Sequence, residues 1–125
     1  MKQKVHSVSY LAKAEFVFKN GVYDLVALPT GAEVVKVSLE MKDDVFKKGG
    51  IVKVGFKDDS RKNYFLDLDH ASAKASLTFK SDKDYTVTSN EVVVAEVAGI
   101  NDSNYVSKGV LRVVYFLPSV IEVEY

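Results

Sequence analysis

The feature that most constrains this chain is a period-two alternation of apolar and polar residues, repeated in segment after segment. In segments 35–41, 52–57 and 111–117 an apolar residue recurs at every second position. Successive side chains of a strand point to opposite faces, so this spacing predicts sheets with one buried face. A helical period of 3.6 does not extend over ten residues in any segment.

The alternating segments are short and are separated by turn residues, which predicts about eight to ten strands at roughly ten-residue spacing. This pattern is typical of an all-β fold, either a β-sandwich or a jelly roll. Residues 1–13 are more mixed, and we predict an extended N-terminal arm there, followed by a single domain over residues 14–125. A weak signal for a helical turn lies at residues 71–75.

Several turn residues predict where strands end. Asn20-Gly21 lies between predicted strands at 14–18 and 22–28. It predicts a hairpin, because type I′ turns need positive φ at both central positions. Pro29-Thr30-Gly31 predicts a second turn. Gly109 is a possible interruption of the last long strand.

Composition excludes several classes of protein. The 125 residues suffice for one domain with a packed core. The chain has no cysteine, which excludes disulfides, thiolate zinc sites and a cysteine nucleophile. Seventeen basic and 17 acidic residues cancel, so the basic excess that nucleic-acid binding requires is missing. No apolar stretch approaches the roughly 20 residues that span a bilayer, and no secretory signal is recognisable. We therefore expect a product of the cytoplasm that binds neither nucleic acid nor membrane directly.

Candidate chemistry is sparse. The two histidines, His6 and His70, lie in unlike contexts, and no catalytic motif accompanies them. Asp67 and Asp69 are the best local candidates for calcium or magnesium, since they share one face of a predicted strand. The simpler interpretation, a solvent-facing strand edge before a turn, is favoured. We predict no catalytic residue, no cofactor and no metal site.

The last segments suggest an interface. Residues 110–117 are apolar on both faces, which fits a strand covered on both sides. Either a subunit interface or the N-terminal arm would cover the outer face. Residues 120–125 have a strand pattern that could pair with a neighbour by adding to a sheet edge. The candidate interface residues are Lys4, Val5, Tyr10, Leu11, Val110, Val114, Phe116, Val120, Ile121, Val123 and Tyr125.

Three segments resemble a strand pattern of small tailed-bacteriophage virion proteins. Residues 23–37 resemble a strand that ends in Leu-Pro-x-Gly, here Leu28 to Gly31, and is followed by a Val-rich strand. Residues 52–59 resemble the next strand, and residues 108–116 resemble the closing strand. The resemblance is to virion proteins of the capsid cement or decoration type.

The resemblance implies a non-enzymatic β-sandwich or jelly roll, commonly trimeric, that is located in the virion over junctions between major capsid protein subunits. The N-terminal arm would then reach a neighbour, and the closing strand would pack in a homotrimer. Residues 42–50 are more charged than the usual turn, which fits either a capsid contact or a solvated loop. The alternative is a carbohydrate- or receptor-binding β-sandwich module of a phage fibre or tail. A small enzyme is a third and weaker candidate.

Overall fold

The computed structural model is an all-β sandwich, and it describes residues 2–6, 8–72, 77–117 and 120–124. The strands in these residues are β1 (Lys2–His6), β2 (Ser9–Val17), β3 (Gly21–Leu28), β4 (Glu33–Met41), β5 (Ile51–Phe56), β6 (Leu66–Leu68), β7 (Thr78–Lys80), β8 (Tyr85–Thr86), β9 (Glu91–Ala98), β10 (Lys108–Phe116) and β11 (Val120–Glu124). Two 3₁₀ turns, Val45–Lys48 and His70–Ser72, lie between strands. The predicted all-β sandwich is confirmed.

The strands form two antiparallel sheets and a separate ribbon. The first sheet has the order β2-β10-β4-β7, and β8 also pairs with β4. The second sheet has the order β3-β9-β5-β6. The ribbon consists of β1 and β11, which pair antiparallel with each other and with no described strand of the two sheets.

The core is built from the apolar phase of the alternating strands. In the first sheet Val37 and Leu39 are register partners of Val113 and Leu111, and all four are fully buried. The predicted strand at 51–56 coincides with β5, whose Val52, Val54 and Phe56 face the same core. The residues between them lie on the outer faces of the sheets, as period two requires.

A bulge shifts the phase of β4 at its beginning. The register between β4 and β10 shifts between Val114 and Tyr115. Val34 is consequently buried, whereas Val35, which the alternation placed with the core residues, is 41% exposed. A bulge adds one residue to one strand and so reverses the faces beyond it.

The hairpin predicted at Asn20-Gly21 is wrong. β2 belongs to the first sheet and β3 to the second, so the two strands do not pair. Asn20 does not have the positive φ that a type I′ turn needs, although Gly21 has φ 152°. The dipeptide instead connects the two layers. Pro29-Thr30-Gly31 does form a turn, in which the Ala32 N–H donates to the Pro29 carbonyl at 3.1 Å.

Part of the predicted N-terminal arm lies in a strand of the first sheet. Ser9–Val17 is one continuous strand, and its residues 9–13 pair with residues 112–116 of β10 inside the first sheet. Of the arm predicted at residues 1–13, the described part outside the sandwich is β1 with Val8. The weak helical signal at residues 71–75 corresponds to the 3₁₀ turn His70–Ser72, while residues 73–76 lie outside the described part of the chain.

Part of the outer face of the second sheet is covered by the connection from β5 to β6. A Cβ atom at Gly55 would lie 2.6 Å from the Lys62 carbonyl carbon, so this backbone passes directly over Gly55. The register partner of Gly55 is Val94, which is fully buried although it lies outside the core cluster. Residues 61–62 thus cover this part of the outer face of the second sheet.

Candidate interface surfaces

An exposed apolar surface lies where β2 and β10 approach the ribbon. Leu11 and Val114 are register partners on the outer face, and Phe116 follows two residues later on that face. Leu11 is 60% exposed, while Val114 and Phe116 are half-buried. Side chains this close across a strand pair form one contiguous surface.

The apolar surface continues around the end of the strand pair. Tyr10 points to the other face of β2 and stacks on Tyr115, with ring centroids 5.9 Å apart. Tyr10 is nevertheless 49% exposed, and Val8, which precedes it, is also exposed. We call Val8, Tyr10, Leu11, Val114 and Phe116 together the end patch.

Hydrogen bonds join the end patch to the ribbon. The Leu117 N–H donates to the Val8 carbonyl at 2.9 Å. His6 Nδ1 lies 3.3 Å from the Leu117 carbonyl oxygen. The ribbon therefore begins directly beside the end patch.

The ribbon is a single antiparallel strand pair. Its register joins Lys2 to Glu124, Val5 to Ile121 and His6 to Val120. An isolated two-stranded ribbon is only marginally stable in water by itself.

The structure brings together part of the predicted interface. Tyr10, Leu11, Val114 and Phe116 all belong to the end patch. Lys4, Val5, Val120, Ile121 and Val123 lie in the adjoining ribbon. Tyr125 lies outside the described residues. None of these residues has been tested as an interface residue, and they stay predictions.

Val110 is the described candidate that lies apart from the others. It occupies the opposite end of β10 on the outer face, between its register partners Glu15 and Glu40. It is only 4% exposed, so little of its surface is left for a partner. Residues 9–13 of the predicted arm do not cover this face, because they lie beside β10 in the same sheet.

Arg61 organises the largest polar cluster of the described residues. Its guanidinium donates to Asp58 at 2.6 Å, to Glu91, and to the Tyr85 hydroxyl at 2.9 Å. It also lies over the Phe56 ring, 4.6 Å from the ring centroid. Tyr85 belongs to the first sheet, whereas Phe56 and Glu91 belong to the second, so Arg61 ties the two layers together.

The ion pairs formed by Arg61 and Arg112 shift the pKa values of the groups involved. Hydrogen bonding from Arg61 and from Ser60 lowers the pKa of the Asp58 carboxyl. Hydrogen bonding to Glu91 and Asp58 raises the pKa of Arg61 above its usual value. On the outer face of the first sheet Arg112 donates to Glu40 at 2.9 Å, and this hydrogen bond lowers the pKa of Glu40.

A cavity of about 310 Å³ lies between the connections that follow β2 and β9. Phe18, Asn20, Ile100 and Tyr105 are among its lining residues. The hydroxyls of Tyr105 and Ser107 are buried nearby without a hydrogen bond of regular geometry. Burial raises the pKa of Tyr105, and the Ser107 hydroxyl partly offsets this effect. Lys19 and Asp102 also line the cavity, together with Asn101 and Ser103.

The carboxylates considered for metal binding have protein partners. Asp67 accepts from Asn63 Nδ2 at 3.1 Å, and Asp69 accepts from the Ala71 N–H at 2.9 Å in the 3₁₀ turn that follows β6. Among the described residues, no group of three His, Asp or Glu side chains could hold a metal ion. Within the same part of the chain, no helix is long and apolar enough to cross a membrane.

The 42–50 connection, interpreted above as a capsid contact or a solvated loop, is anchored in the core. Val45 and Phe46 are buried, and the Asp44 carboxylate accepts from the Phe46 N–H at 3.0 Å. Lys42, Asp43 and Lys47 remain exposed around this anchor. The connection is therefore a fixed charged surface.

Comparisons with known proteins show which solved structures contain similar chains. No family model matches the sequence, and no curated protein does. Among solved structures, a chain of the acidic stable capsid of Helicobacter pylori bacteriophage KHP30 is 64% identical, with a TM-score of 0.86 and full coverage of both chains. A chain of the cyanophage Pam1 capsid asymmetric unit has 20% identity and a TM-score of 0.67, over 88% of this chain and 85% of that chain. The Pam1 similarity shows a shared fold.

The chain belongs to the same family as the KHP30 capsid chain, and it is a structural protein of a bacteriophage virion. The resemblance to tailed-phage virion proteins and the predicted location in the virion are both confirmed.

Proposed function

We propose that this protein is a capsid cement or decoration protein, which acts as a homotrimer and stabilises contacts between major capsid protein subunits. Its role is to bind and bury surface, and no catalytic step is assigned to it. The observation that carries this proposal is the end patch, an exposed apolar surface continuous with a projecting ribbon.

The end patch is a suitable surface for protein association. Contiguous exposed apolar surface marks interaction sites on soluble proteins. Specific interfaces bury about 1,600 Å² in total, so a patch of five side chains needs the ribbon beside it to reach that size. Repetition on a symmetric shell then adds avidity without any new type of contact.

We also infer a jelly-roll topology for the sandwich. When β7 and β8 are counted as one strand, the eight sandwich strands have the order 1-8-3-6 in one sheet and 2-7-4-5 in the other. This double Greek-key order is the arrangement that jelly rolls use.

The alternative of a carbohydrate- or receptor-binding module receives less support. Sugar recognition of the kind considered uses exposed aromatic rings. Of the aromatic residues whose burial is described, Tyr10 is the exposed one, and it stacks on Tyr115.

A further part of the proposal is that ion pairs of this protein persist in acid. The related KHP30 capsid is described as acidic stable. In this chain the pKa values of Glu40 and Asp58 are lowered by arginine partners. These carboxylates keep their charge, and hence their ion pairs, to lower pH than free carboxylates do.

The test is binding of the purified protein to capsids that lack it, together with the solution mass by light scattering. The wild-type chain is expected to have three times the monomer mass and to raise the temperature at which the capsids rupture. Leu11→Glu places a charge in the end patch and is expected to abolish trimer formation. Val106→Glu is the matched control, because Val106 is 64% exposed, similar to Leu11 at 60%, but lies outside the patch.

Three results would each contradict one part of the proposal. Failure of the wild-type protein to bind or stabilise capsids would exclude the cement function. A monomeric wild-type chain in solution and on the capsid would exclude the homotrimer. Equal effects of Leu11→Glu and Val106→Glu would show that the end patch is not the interface.

A further inference from the structure

The dipeptide Asn20-Gly21 combines a reactive sequence with a restrained side chain. Glycine has no Cβ atom, so its backbone nitrogen can approach the side chain of a preceding asparagine with little hindrance. The other asparagines of the chain precede tyrosine, glutamate or aspartate; they are Asn63, Asn90, Asn101 and Asn104. Asn20 is also exposed to solvent. Attack by the following backbone nitrogen is therefore least hindered at Asn20.

The chemistry of an asparagine followed by glycine is deamidation through a cyclic imide. The Gly21 nitrogen, after it gives its proton to hydroxide, attacks Cγ of Asn20, and the bond from Cγ to Nδ2 breaks. Ammonia leaves with a proton taken from water, and a succinimide ring remains. Water then adds to either ring carbonyl, which gives aspartate or isoaspartate at position 20. The net reaction consumes water and releases ammonia.

The folded structure restrains the carboxamide group that has to react. Asn20 Nδ2 donates to the Ile100 carbonyl at 3.0 Å, and the Ile100 N–H donates to Asn20 Oδ1 at 3.0 Å. Closing the succinimide ring requires Cγ to turn toward the Gly21 nitrogen. A carboxamide that is bonded at both its oxygen and its nitrogen has to break these hydrogen bonds before it turns. The folded state therefore opposes the reaction.

Ile100 is held in place by a neighbouring connection of the chain. Gly99 has φ 78°, and a Cβ atom there would lie 2.6 Å from the Gly49 carbonyl oxygen, so the two backbones are in direct contact. On the other side of Ile100, the Asn101 N–H donates to the Lys48 carbonyl at 3.2 Å. The restraint on Asn20 therefore depends on the contact between the 45–50 connection and residues 99–101.

We propose that Asn20 is a deamidation site, protected by its contact with Ile100 in the folded protein and reactive when that contact opens. The product cannot restore the contact. A carboxylate at position 20 has no N–H to donate to the Ile100 carbonyl and faces that oxygen with a negative charge. Isoaspartate also adds a methylene group to the backbone directly before β3. Opening followed by reaction is therefore irreversible, and this inference is independent of the proposed capsid function.

The test compares the same chain in its folded and unfolded states. The purified protein is held at mildly alkaline pH with or without guanidinium chloride, and peptide mapping by mass spectrometry follows every asparagine. Asn20 is expected to convert fastest of all asparagines in the unfolded chain. In the folded chain we expect its conversion to be slower by about tenfold or more, because two hydrogen bonds have to break first. Isoaspartate is expected in the product, since direct hydrolysis of the carboxamide gives aspartate alone.

Gly99→Ala tests the protection without changing Asn20 or Gly21. The added Cβ atom meets the Gly49 carbonyl oxygen and displaces the backbone that carries Ile100. Gly31→Ala is the matched control, because Gly31 also has a positive φ, 89°, but lies beyond the opposite end of β3 from Asn20. Gly99→Ala is expected to raise the rate at Asn20 in the folded protein by a larger factor than Gly31→Ala does.

Each of the following results would overturn part of this inference. Equal rates at Asn20 in the folded and unfolded chains would show that the Ile100 contact gives no protection. Faster conversion of another asparagine in the unfolded chain would place the reactive site elsewhere, and aspartate without isoaspartate would exclude the succinimide route. Equal rates in Gly99→Ala and Gly31→Ala would show that the contact between residues 49 and 99 does not control the reaction. If a glycine variant fails to fold, the comparison of the two wild-type states decides.

Discussion

The side chain of Asn20 and the backbone of Ile100 are joined by two hydrogen bonds that run in opposite directions. Asn20 Nδ2 donates to the Ile100 carbonyl at 3.0 Å, and the Ile100 N–H donates to Asn20 Oδ1 at 3.0 Å. Asn20 follows β2 and Ile100 follows β9, and these strands belong to different sheets. This pair of bonds therefore fastens together two connections of the sandwich that are far apart in sequence.

Asn20→Asp is expected to lower the free energy of unfolding by about 1–3 kcal/mol, since the carboxylate cannot donate and faces a carbonyl oxygen. Urea unfolding measures the change. Asn104→Asp in the loop between β9 and β10 introduces the same charge at an exposed position and is the control. Equal stability of the two variants would contradict a role for the Asn20–Ile100 pair.

Gly109→Ala is expected to destabilise the fold by about 1–3 kcal/mol, because it overpacks the core. A Cβ atom there would lie 2.6 Å from Cζ of Phe18, which is fully buried. The double variant Gly109→Ala/Phe18→Leu frees space near residue 109. Thermal unfolding should show that the two changes together cost less than the sum of their separate effects. Strict additivity would contradict this account of Gly109.

Ser107→Ala is expected to leave the free energy of unfolding unchanged or raise it by about 1 kcal/mol. The Ser107 hydroxyl is buried without a hydrogen-bond partner of regular geometry, so folding removes it from water without a replacement. Denaturant unfolding measures the effect. A loss of stability greater than about 1 kcal/mol would indicate that the hydroxyl bonds to Tyr105 after all.

The Glu40–Arg112 pair predicts a specific dependence of stability on pH. The pKa of Glu40 is lowered in the folded protein, chiefly by its hydrogen bond from Arg112. Its stabilising contribution is therefore present above the unfolded pKa of about 4.3 and is lost as the pH falls through the lower folded pKa. Arg112→Met should lower Tm at neutral pH, and the difference from wild type should disappear in strong acid.

Arg112→Lys is the control for this experiment because it keeps the charge. It is expected to retain part of the neutral-pH stability with the same loss in acid. A difference in Tm between Arg112→Met and wild type that is independent of pH would mean that packing, and not the charge on Glu40, explains the effect.

Much of the fold follows from local patterns, but the errors of prediction have identifiable causes. The alternation identified Val37, Leu39, Val54 and Phe56 as core residues, because one face of each strand must be buried. It failed at Val35, where a bulge reverses the phase. It did not indicate the role of Arg61, because the surrounding sequence is that of an ordinary charged loop. Only folding brings Phe56, Tyr85 and Glu91 into contact with Arg61.

The candidate interface residues stay predictions. Apolar residues on both faces of 110–117 predicted a strand covered on both sides, and in the structure the inner face of this strand is buried in the core while Val114 and Phe116 on its outer face are half-buried. The sequence could not separate Val110, buried between Glu15 and Glu40, from Val114, which lies beside the exposed Leu11. That difference depends on which strands are neighbours and on where each strand ends.

The sequence by itself determined the secondary structure, the two-faced sheets and most of the core, since period-two patterning and turn residues act over a few neighbouring positions. Only the tertiary structure decided that Asn20 joins two layers, that Arg61 ties two sheets, and that the two ends of the chain pair in a ribbon beside the end patch. These contacts join residues up to 122 positions apart, as Lys2 and Glu124 are, and no local pattern specifies them.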